Sequence, residues 1–83
     1  MDAAVRVLLA RFARGPATTP EVLDDVAARM EAQGRTRHAT VGLVRRMREA
    51  GLIEETDLRR ENSRELQITE KGAAELARLK GAT

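Results

Sequence analysis

The spacing of apolar residues changes at Gly51, and this change constrains the fold more than any other feature of the chain. Before Gly51, apolar residues recur three and four positions apart, which is the period of a helix. After it, residues 52–56 are a short strand candidate, and residues 66–69 alternate apolar and polar residues, as a half-buried strand that pairs with the first would do. A weaker helical pattern follows over about 70–80. The sequence therefore predicts a mainly α domain with a small β-hairpin.

Three helices are predicted before this change, and their ends are marked in the sequence. We place them at about 3–14, 19–33 and 36–50. Thr18 with Glu21 forms a capping box for the second helix, and Thr19 before Pro20 is an alternative start. Thr36 is the expected N-cap of the third helix. The predicted inward-facing residues are Val5, Leu8, Leu9 and Phe12, then Val22, Leu23, Val26, Ala27 and Met30, then Thr40, Leu43, Val44 and Met47.

The hairpin is predicted to consist of two strands, at about 52–56 and 66–69, joined by a polar loop from Asp57 to Arg64. The stripe of the last helix consists of Ala73, Leu76, Ala77 and Leu79. Leu76 and Leu79 serve either a dimer interface or the closure of the core, and the sequence leaves both open.

The composition limits the chemistry of this single domain, which spans residues 1–83. Phe12 is the only aromatic residue, so the core is small and aliphatic. Because the chain has no cysteine, it forms neither a disulfide nor a thiolate metal site. Ser63 and His38 lie in different predicted elements, and the sequence contains neither a nucleophile–base pair nor a phosphate-cradling glycine loop. We therefore expect no enzymatic activity, no cofactor and no metal.

Charged residues interrupt the N-terminal segment at Asp2, Arg6 and Arg11. A secretory signal or a membrane span needs a longer apolar run than these positions allow. We therefore expect a cytoplasmic protein without a membrane partner.

Positive charge is concentrated in the middle of the chain. Residues 35–64 carry eight arginines and five acidic residues, whereas residues 1–34 carry four arginines and five acidic residues. The planar guanidinium of arginine suits phosphates and guanine edges. The scarcity of aromatic residues argues against single-strand binding by base stacking. Double-stranded DNA is therefore the expected partner.

The third predicted helix directs small and basic residues outward. Gly42 costs about 1 kcal/mol relative to Ala in mid-helix. Either a close approach to DNA or tight packing against a neighbouring helix would explain it. Arg45 is the best candidate for a base contact, with a phosphate contact or a solvated side chain as the alternatives. The predicted DNA-binding residues of this helix and its N-terminus are Arg35, Thr36, Arg37, His38, Val41, Gly42, Arg45 and Arg46.

The hairpin supplies a second group of candidate DNA contacts: Arg59, Arg60, Asn62 and Arg64. Arginines at a hairpin tip lie over the phosphate backbone or in the minor groove, whose negative potential is raised where it is narrow. A solvated turn without a ligand is the alternative interpretation.

Two separated pieces of the sequence resemble the MarR-type and PadR-type winged helix-turn-helix regulators. Residues 44–53, VRRMREAGLI, look like the end of the recognition helix in both groups. Asp57, Arg59, Thr69 and Gly72 have the mutual spacings of the MarR-type wing pattern. The resemblance covers about residues 8–79. It implies a three-helix core, a two-stranded wing and a C-terminal helix, with the helix at 36–50 in the major groove.

The chain also departs from these families. Arg60 and Asn62 stand where the MarR-type wing usually repeats Asp and Arg, and Val41 and Leu66 lie in regions where PadR-type proteins usually carry tyrosines. Both families have longer dimerisation helices, which enclose the cavities that sense ligands. We therefore expect no small-molecule effector.

The fold and the basic stretch together predict a sequence-specific protein for duplex DNA. We expect a small transcriptional regulator, a repressor in preference to an activator, that acts as a homodimer by occupying its operator. One alternative is a winged-helix protein–protein interaction module whose acidic helix face captures a basic partner. Another is a phage or plasmid accessory DNA-binding factor. The acidic face consists of Glu21, Asp24, Asp25 and Glu31.

Overall fold

Four helices and three short strands make up residues 2–81, the part of the chain that the computed structural model describes. In chain order they are α1 (Asp2–Ala13), β1 (Ala17–Thr18), α2 (Thr19–Ala32), α3 (Arg37–Glu49), β2 (Ile53–Arg60), β3 (Ser63–Ile68) and α4 (Glu70–Gly81). The predicted class, mainly α with a small β-hairpin, is confirmed. The four predicted helices are present, with ends within a few residues of those expected.

Side-chain caps start α2 and α3 where the sequence predicts. The Thr18 hydroxyl accepts from the Glu21 N–H at 3.4 Å, and the Glu21 carboxylate accepts from the Thr18 N–H at 2.8 Å. This is a reciprocal capping box, so α2 follows Thr18 directly. The Thr36 hydroxyl accepts from the Ala39 N–H at 3.1 Å and caps α3 in the same manner.

Two glycines fix the way in which α3, β2 and α4 meet. Gly51 has a φ of 79°, and the reversal it allows lets the Leu52 N–H donate to the Met47 carbonyl at 2.9 Å. Gly72 lies against the same turn, where an added Cβ would be 2.0 Å from the Leu52 carbonyl oxygen. The start of α4 therefore packs against the exit of α3 at a distance that only glycine permits.

The core is aliphatic and draws on all four helices and the sheet. Its larger members are Leu8, Leu9, Phe12, Val22, Val26, Met30, Leu43, Val44, Met47, Ile53, Leu66, Leu76 and Leu79. Leu76 and Leu79 are each 6% exposed, so both close the core of one chain. The predicted stripes contain three errors, since Ala27, Ala73 and Ala77 are exposed.

The sheet has three antiparallel strands in the order β1-β3-β2, one more than the two predicted. The additional strand, β1, pairs Ala17 with Leu66 and Thr18 with Glu65. It is two residues long and therefore too short to show an alternating pattern. Its pairing makes β3 the central strand and ties the hairpin to the segment between α1 and α2.

The hairpin is longer than predicted, because most of the expected loop is strand. Only Glu61 and Asn62 form the turn, with φ values of 48° and 68°, as a two-residue type I′ connection requires. The register shifts between Glu55 and Arg59, where residues 56–58 lie opposite the single residue Glu65. This bulge lies halfway along β2 and marks off the outer part of the hairpin.

Candidate nucleic-acid interface

The outward face of α3 carries two arginines that no acid neutralises. Thr40, Leu43, Val44 and Met47 are all buried, as predicted, which turns the opposite side of the helix to solvent. Arg45 and Arg46 are exposed there, while Val41 and Gly42 are half-buried. Within residues 2–81 neither arginine forms an ion pair. This face of α3 therefore offers two cationic side chains to an external ligand.

Gly42 lies beside these arginines with open space in front of it. No heavy atom outside its own helix lies within 4 Å of the position that a Cβ would take. Tight packing against a neighbouring helix, one of the two explanations for this glycine, is therefore excluded. Its position leaves the α3 backbone accessible from outside.

The N-terminal end of α3 is directed in part toward α2. Arg37 Nη1 donates to Asp24 Oδ1 at 2.9 Å. Arg35 and Arg37 both line a cavity of about 160 Å³ between the two helices. Thr36 acts as the cap, and His38 is exposed. Of the three exposed residues among these four predicted contacts, His38 is the one whose side chain has no hydrogen bond or ion pair within residues 2–81.

On the hairpin, Arg59 and Arg64 lie directly opposite each other across β2 and β3. Opposed residues of an antiparallel pair project from the same face, where like charges disfavour the sheet. Arg59 has no ion pair in the described part of the chain, and Arg64 Nε is 3.9 Å from Glu55 Oε2. Two arginines that oppose each other across the hairpin with so little compensation suit an anion such as a phosphate.

Glu55 connects the hairpin to α3. Its Oε2 lies 3.1 Å from Arg48 Nη2 and 3.9 Å from Arg64 Nε. Arg48 and Arg45 also line one side of an open cleft between α3 and β2. We call the exposed arginines in the second half of α3 and on this hairpin face the basic surface; its members are Arg45, Arg46, Arg48, Arg59 and Arg64. The sequence prediction omitted Arg48, although its position one helical turn after Arg45 was a usable signal.

Arg60 and Asn62, the other two predicted hairpin contacts, lie apart from the basic surface. Arg60 Nη2 is 3.0 Å from Glu21 Oε1 and 3.0 Å from Glu65 Oε2, so it faces the start of α2. Asn62 occupies the second position of the turn, where its left-handed backbone conformation explains the residue type. Arg60 is as exposed as Arg64, with 46% and 47% of the side chain accessible, but its charge is shared with two acids.

The acidic residues of α2 are largely neutralised by arginines from other elements. Asp25 Oδ2 is 2.6 Å from Arg11 Nε. Asp24 pairs with Arg37, and Glu21 pairs with Arg60. Of the four acids on this face, only Glu31 has no ion pair among the described residues. The acidic face of the sequence is thus a row of internal ion pairs.

Residues 2–81 contain neither a metal-binding cluster nor a membrane-spanning helix. No three His, Cys, Asp or Glu side chains gather as a metal ion would require. No helix in this range is both long enough and apolar enough to cross a bilayer. No protein-family model matches the chain, and no curated protein matches it.

Proposed function

We propose that this chain is a winged-helix protein that binds duplex DNA, with α3 in the major groove. The order of three helices, a hairpin and a further helix is that of winged-helix proteins, and β1 adds the short strand that ties the hairpin to the helices. In this arrangement α3 is the recognition helix and the β2–β3 hairpin is the wing. Helices of this kind enter the major groove and contact base edges with their outward side chains.

The observation that carries the proposal is the distribution of neutralised and unneutralised arginines. Arg45, Arg46 and Arg59, all on the basic surface, have no acidic partner within residues 2–81. Arg11, Arg37 and Arg60 instead pair with acids of α2. Arg6, Arg14, Arg29 and Arg35 also lack an ion pair among the described residues, but Arg45, Arg46 and Arg59 lie on α3 and the hairpin, the two elements that a winged-helix protein presents to DNA. A polyanion that spans both elements matches this surface.

Each part of the basic surface has a distinct task in the proposed complex. Arg45 donates hydrogen bonds to the O6 and N7 atoms of a guanine, the commonest specific contact in the major groove. Arg59 and Arg64 bind the phosphate backbone and set the orientation of the domain. Gly42 lets the α3 backbone approach the groove closely. The protein acts as a transcriptional regulator, a repressor that blocks access to its operator.

A homodimer fits this activity, because one small domain reads few base pairs and two-fold pairing doubles the interface. Leu76 and Leu79 belong to the core of one chain, so the dimer uses other residues. A protein-interaction module that captures basic partners has less support, since three of the four acids on α2 are already paired.

Fluorescence anisotropy with labelled duplexes tests the proposal. We expect affinity to fall log-linearly with salt, because bound cations are released from phosphates. Arg45→Gln should cost about 1–3 kcal/mol on the preferred sequence and relax its specificity, whereas Arg59→Gln should weaken binding to all sequences and lower the salt slope by about 1. Arg29→Gln removes an exposed arginine of α2 outside the basic surface and is the matched control.

The absence of binding at about 50 mM salt would contradict the proposal, since non-specific attachment is strongest at low salt. An equal effect of Arg29→Gln and Arg45→Gln would also contradict it. In that case net charge, and not the basic surface, would govern binding.

A further inference from the structure

Arg60 bridges two acids that belong to different parts of the fold. Its Nη2 lies 3.0 Å from Glu21 on α2 and 3.0 Å from Glu65 on β3. The Glu65 residue is only 8% exposed, whereas the Arg60 side chain remains partly accessible. The guanidinium thus neutralises a largely buried carboxylate and at the same time joins the outer hairpin to the first turn of α2.

The bridge continues as a chain of hydrogen bonds in both directions. On the α2 side, Glu21 Oε1 accepts from the N–H and the hydroxyl of Thr18, at 2.8 and 3.0 Å. On the hairpin side, Glu65 Oε1 accepts from the Thr56 hydroxyl at 3.1 Å. The Thr56 oxygen in turn accepts from the Leu58 N–H at 3.1 Å. One polar network therefore runs from the cap of α2 to the bulge of β2.

The bulge decides where the DNA-facing side of the hairpin begins. It shifts the register so that Arg59 lies opposite Arg64, and it leaves Leu58 60% exposed. Adjacent residues of a strand point to opposite faces, so Arg59 and Arg60 serve different sides of β2. The network that ends at Arg60 holds one side, and the opposed arginines occupy the other.

We propose that Arg60 is a positioning residue that fastens the outer hairpin to α2 and thereby presents Arg59 and Arg64 to DNA. This inference rests on the proposed function. Arg60 does not itself bind phosphate, because leaving the bridge would strip the buried Glu65 carboxylate of its cation. An unpaired buried charge is among the costliest defects in a folded protein.

The dependence of DNA affinity on salt separates positioning from contact. Removing a phosphate contact lowers the slope by about 1. Arg60→Gln should instead weaken binding by roughly three- to tenfold with an unchanged slope, as the loss of one ordinary hydrogen bond would. Arg60→Lys, which restores the cation, should recover part of the affinity. A slope that falls by about 1 in Arg60→Gln, as in Arg59→Gln, would overturn the inference.

Glu65→Gln provides a test in which the two explanations predict opposite signs. The substitution removes a negative charge, so net charge alone predicts tighter binding to DNA. The positioning role predicts weaker binding, because Gln holds Arg60 less firmly and releases the hairpin. Tighter binding by Glu65→Gln would therefore contradict the inference. Arg29→Gln again controls for the loss of an arginine that bridges nothing.

Hydrogen exchange of the hairpin amides tests the fastening without DNA. Arg60→Gln and Glu65→Gln should both accelerate exchange in residues 56–64, whereas Arg59→Gln should not. Unchanged protection in both bridge variants would overturn the positioning role even if the protein binds DNA. If both bridge variants exchange faster but the wild-type protein does not bind DNA, Arg60 still fastens the hairpin and only the proposed function is contradicted. The two failures are therefore distinguishable.

Discussion

A substitution at Gly42 tests the stability of α3 and the proposed contact with DNA separately. Because nothing lies within 4 Å of the missing Cβ, Gly42→Ala should increase the free energy of unfolding by about 0.5–1 kcal/mol through helix propensity alone. The same methyl group would stand between α3 and the floor of the major groove, so DNA affinity should fall. Thermal unfolding and anisotropy measure the two effects. A variant that is more stable and binds as well as the wild type would show that Gly42 has no role in the interface.

Gly72 differs from Gly42 in that other atoms already occupy the space that a Cβ would need. An added Cβ would lie 2.0 Å from the Leu52 carbonyl oxygen and 2.8 Å from Ile68 Cγ1, so the start of α4 must shift. Gly72→Ala should therefore reduce the free energy of unfolding by about 1–3 kcal/mol, the usual cost of overpacking. Urea denaturation measures it. Gly81→Ala, with open space at its Cβ position, is the control and should have a much smaller effect.

At the scale of elements, the hairpin turn is less stable than it could be. Glu61 and Asn62 both have positive φ, and Glu is a poor residue for this conformation. Replacing the pair by Asn-Gly, the preferred type I′ sequence, should increase the free energy of unfolding by about 1 kcal/mol. If Asn62 only shapes the turn, as its backbone indicates, Glu61→Asn with Asn62→Gly should bind DNA no more weakly than the wild type. A clear loss of affinity would instead assign Asn62 a contact.

The helices were predictable because their signals are local. Thr18 with Glu21 and Thr36 act within one helical turn, and both caps lie where the sequence indicated. Strand β1 was not predictable, because two residues carry no period and become a strand only through pairing with β3. The bulge of β2 escaped prediction for a related reason, since residues 56–58, with one charged residue and an exposed leucine, do not show the alternation on which strand prediction depends.

The candidate site shows the same division. Its outward arginines follow from helical geometry, so Arg45 and Arg46 were identified from spacing alone. Arg60 and Arg59 are indistinguishable as neighbours in a sequence, and only the fold brings Glu21 and Glu65 to one of them. Ion pairs between distant elements decide which arginines remain for a ligand.

At the scale of the whole molecule, Glu21 links the stability of the domain to pH. Two hydrogen bonds from Thr18 lower the pKa of Glu21 below the ordinary 4.5; the bond from its N–H has the larger effect and the bond from its hydroxyl the smaller one. The charge of Arg60 lowers the pKa further. The unfolded chain therefore takes up this proton first as pH falls. The stabilisation is complete above the unfolded pKa and is lost as pH falls through the folded one.

Urea denaturation from neutral to acidic pH measures this linkage. Glu21→Gln should be less stable than the wild type at pH 7, and the difference should shrink as the pH falls below about 5. Glu31→Gln, on the same helix but without an ion pair among the described residues, is the control and should leave the profile unchanged. A difference between Glu21→Gln and the wild type that persists at low pH would show that protonation of Glu21 does not govern acid sensitivity.

The pairing of β1 with β3 also determines the order in which the helices and the sheet can form. Ala17 meets Leu66, which follows 49 positions later (66 − 17), whereas the contacts within each helix are local. The N-terminal part of a nascent chain leaves the ribosome first, and contacts between distant residues form slowly. We therefore expect the first three helices to gather while the sheet still lacks its central strand. A nascent chain from which β3 has not yet emerged would expose α3 without a complete hairpin, so the basic surface is complete only after β3 has joined the sheet.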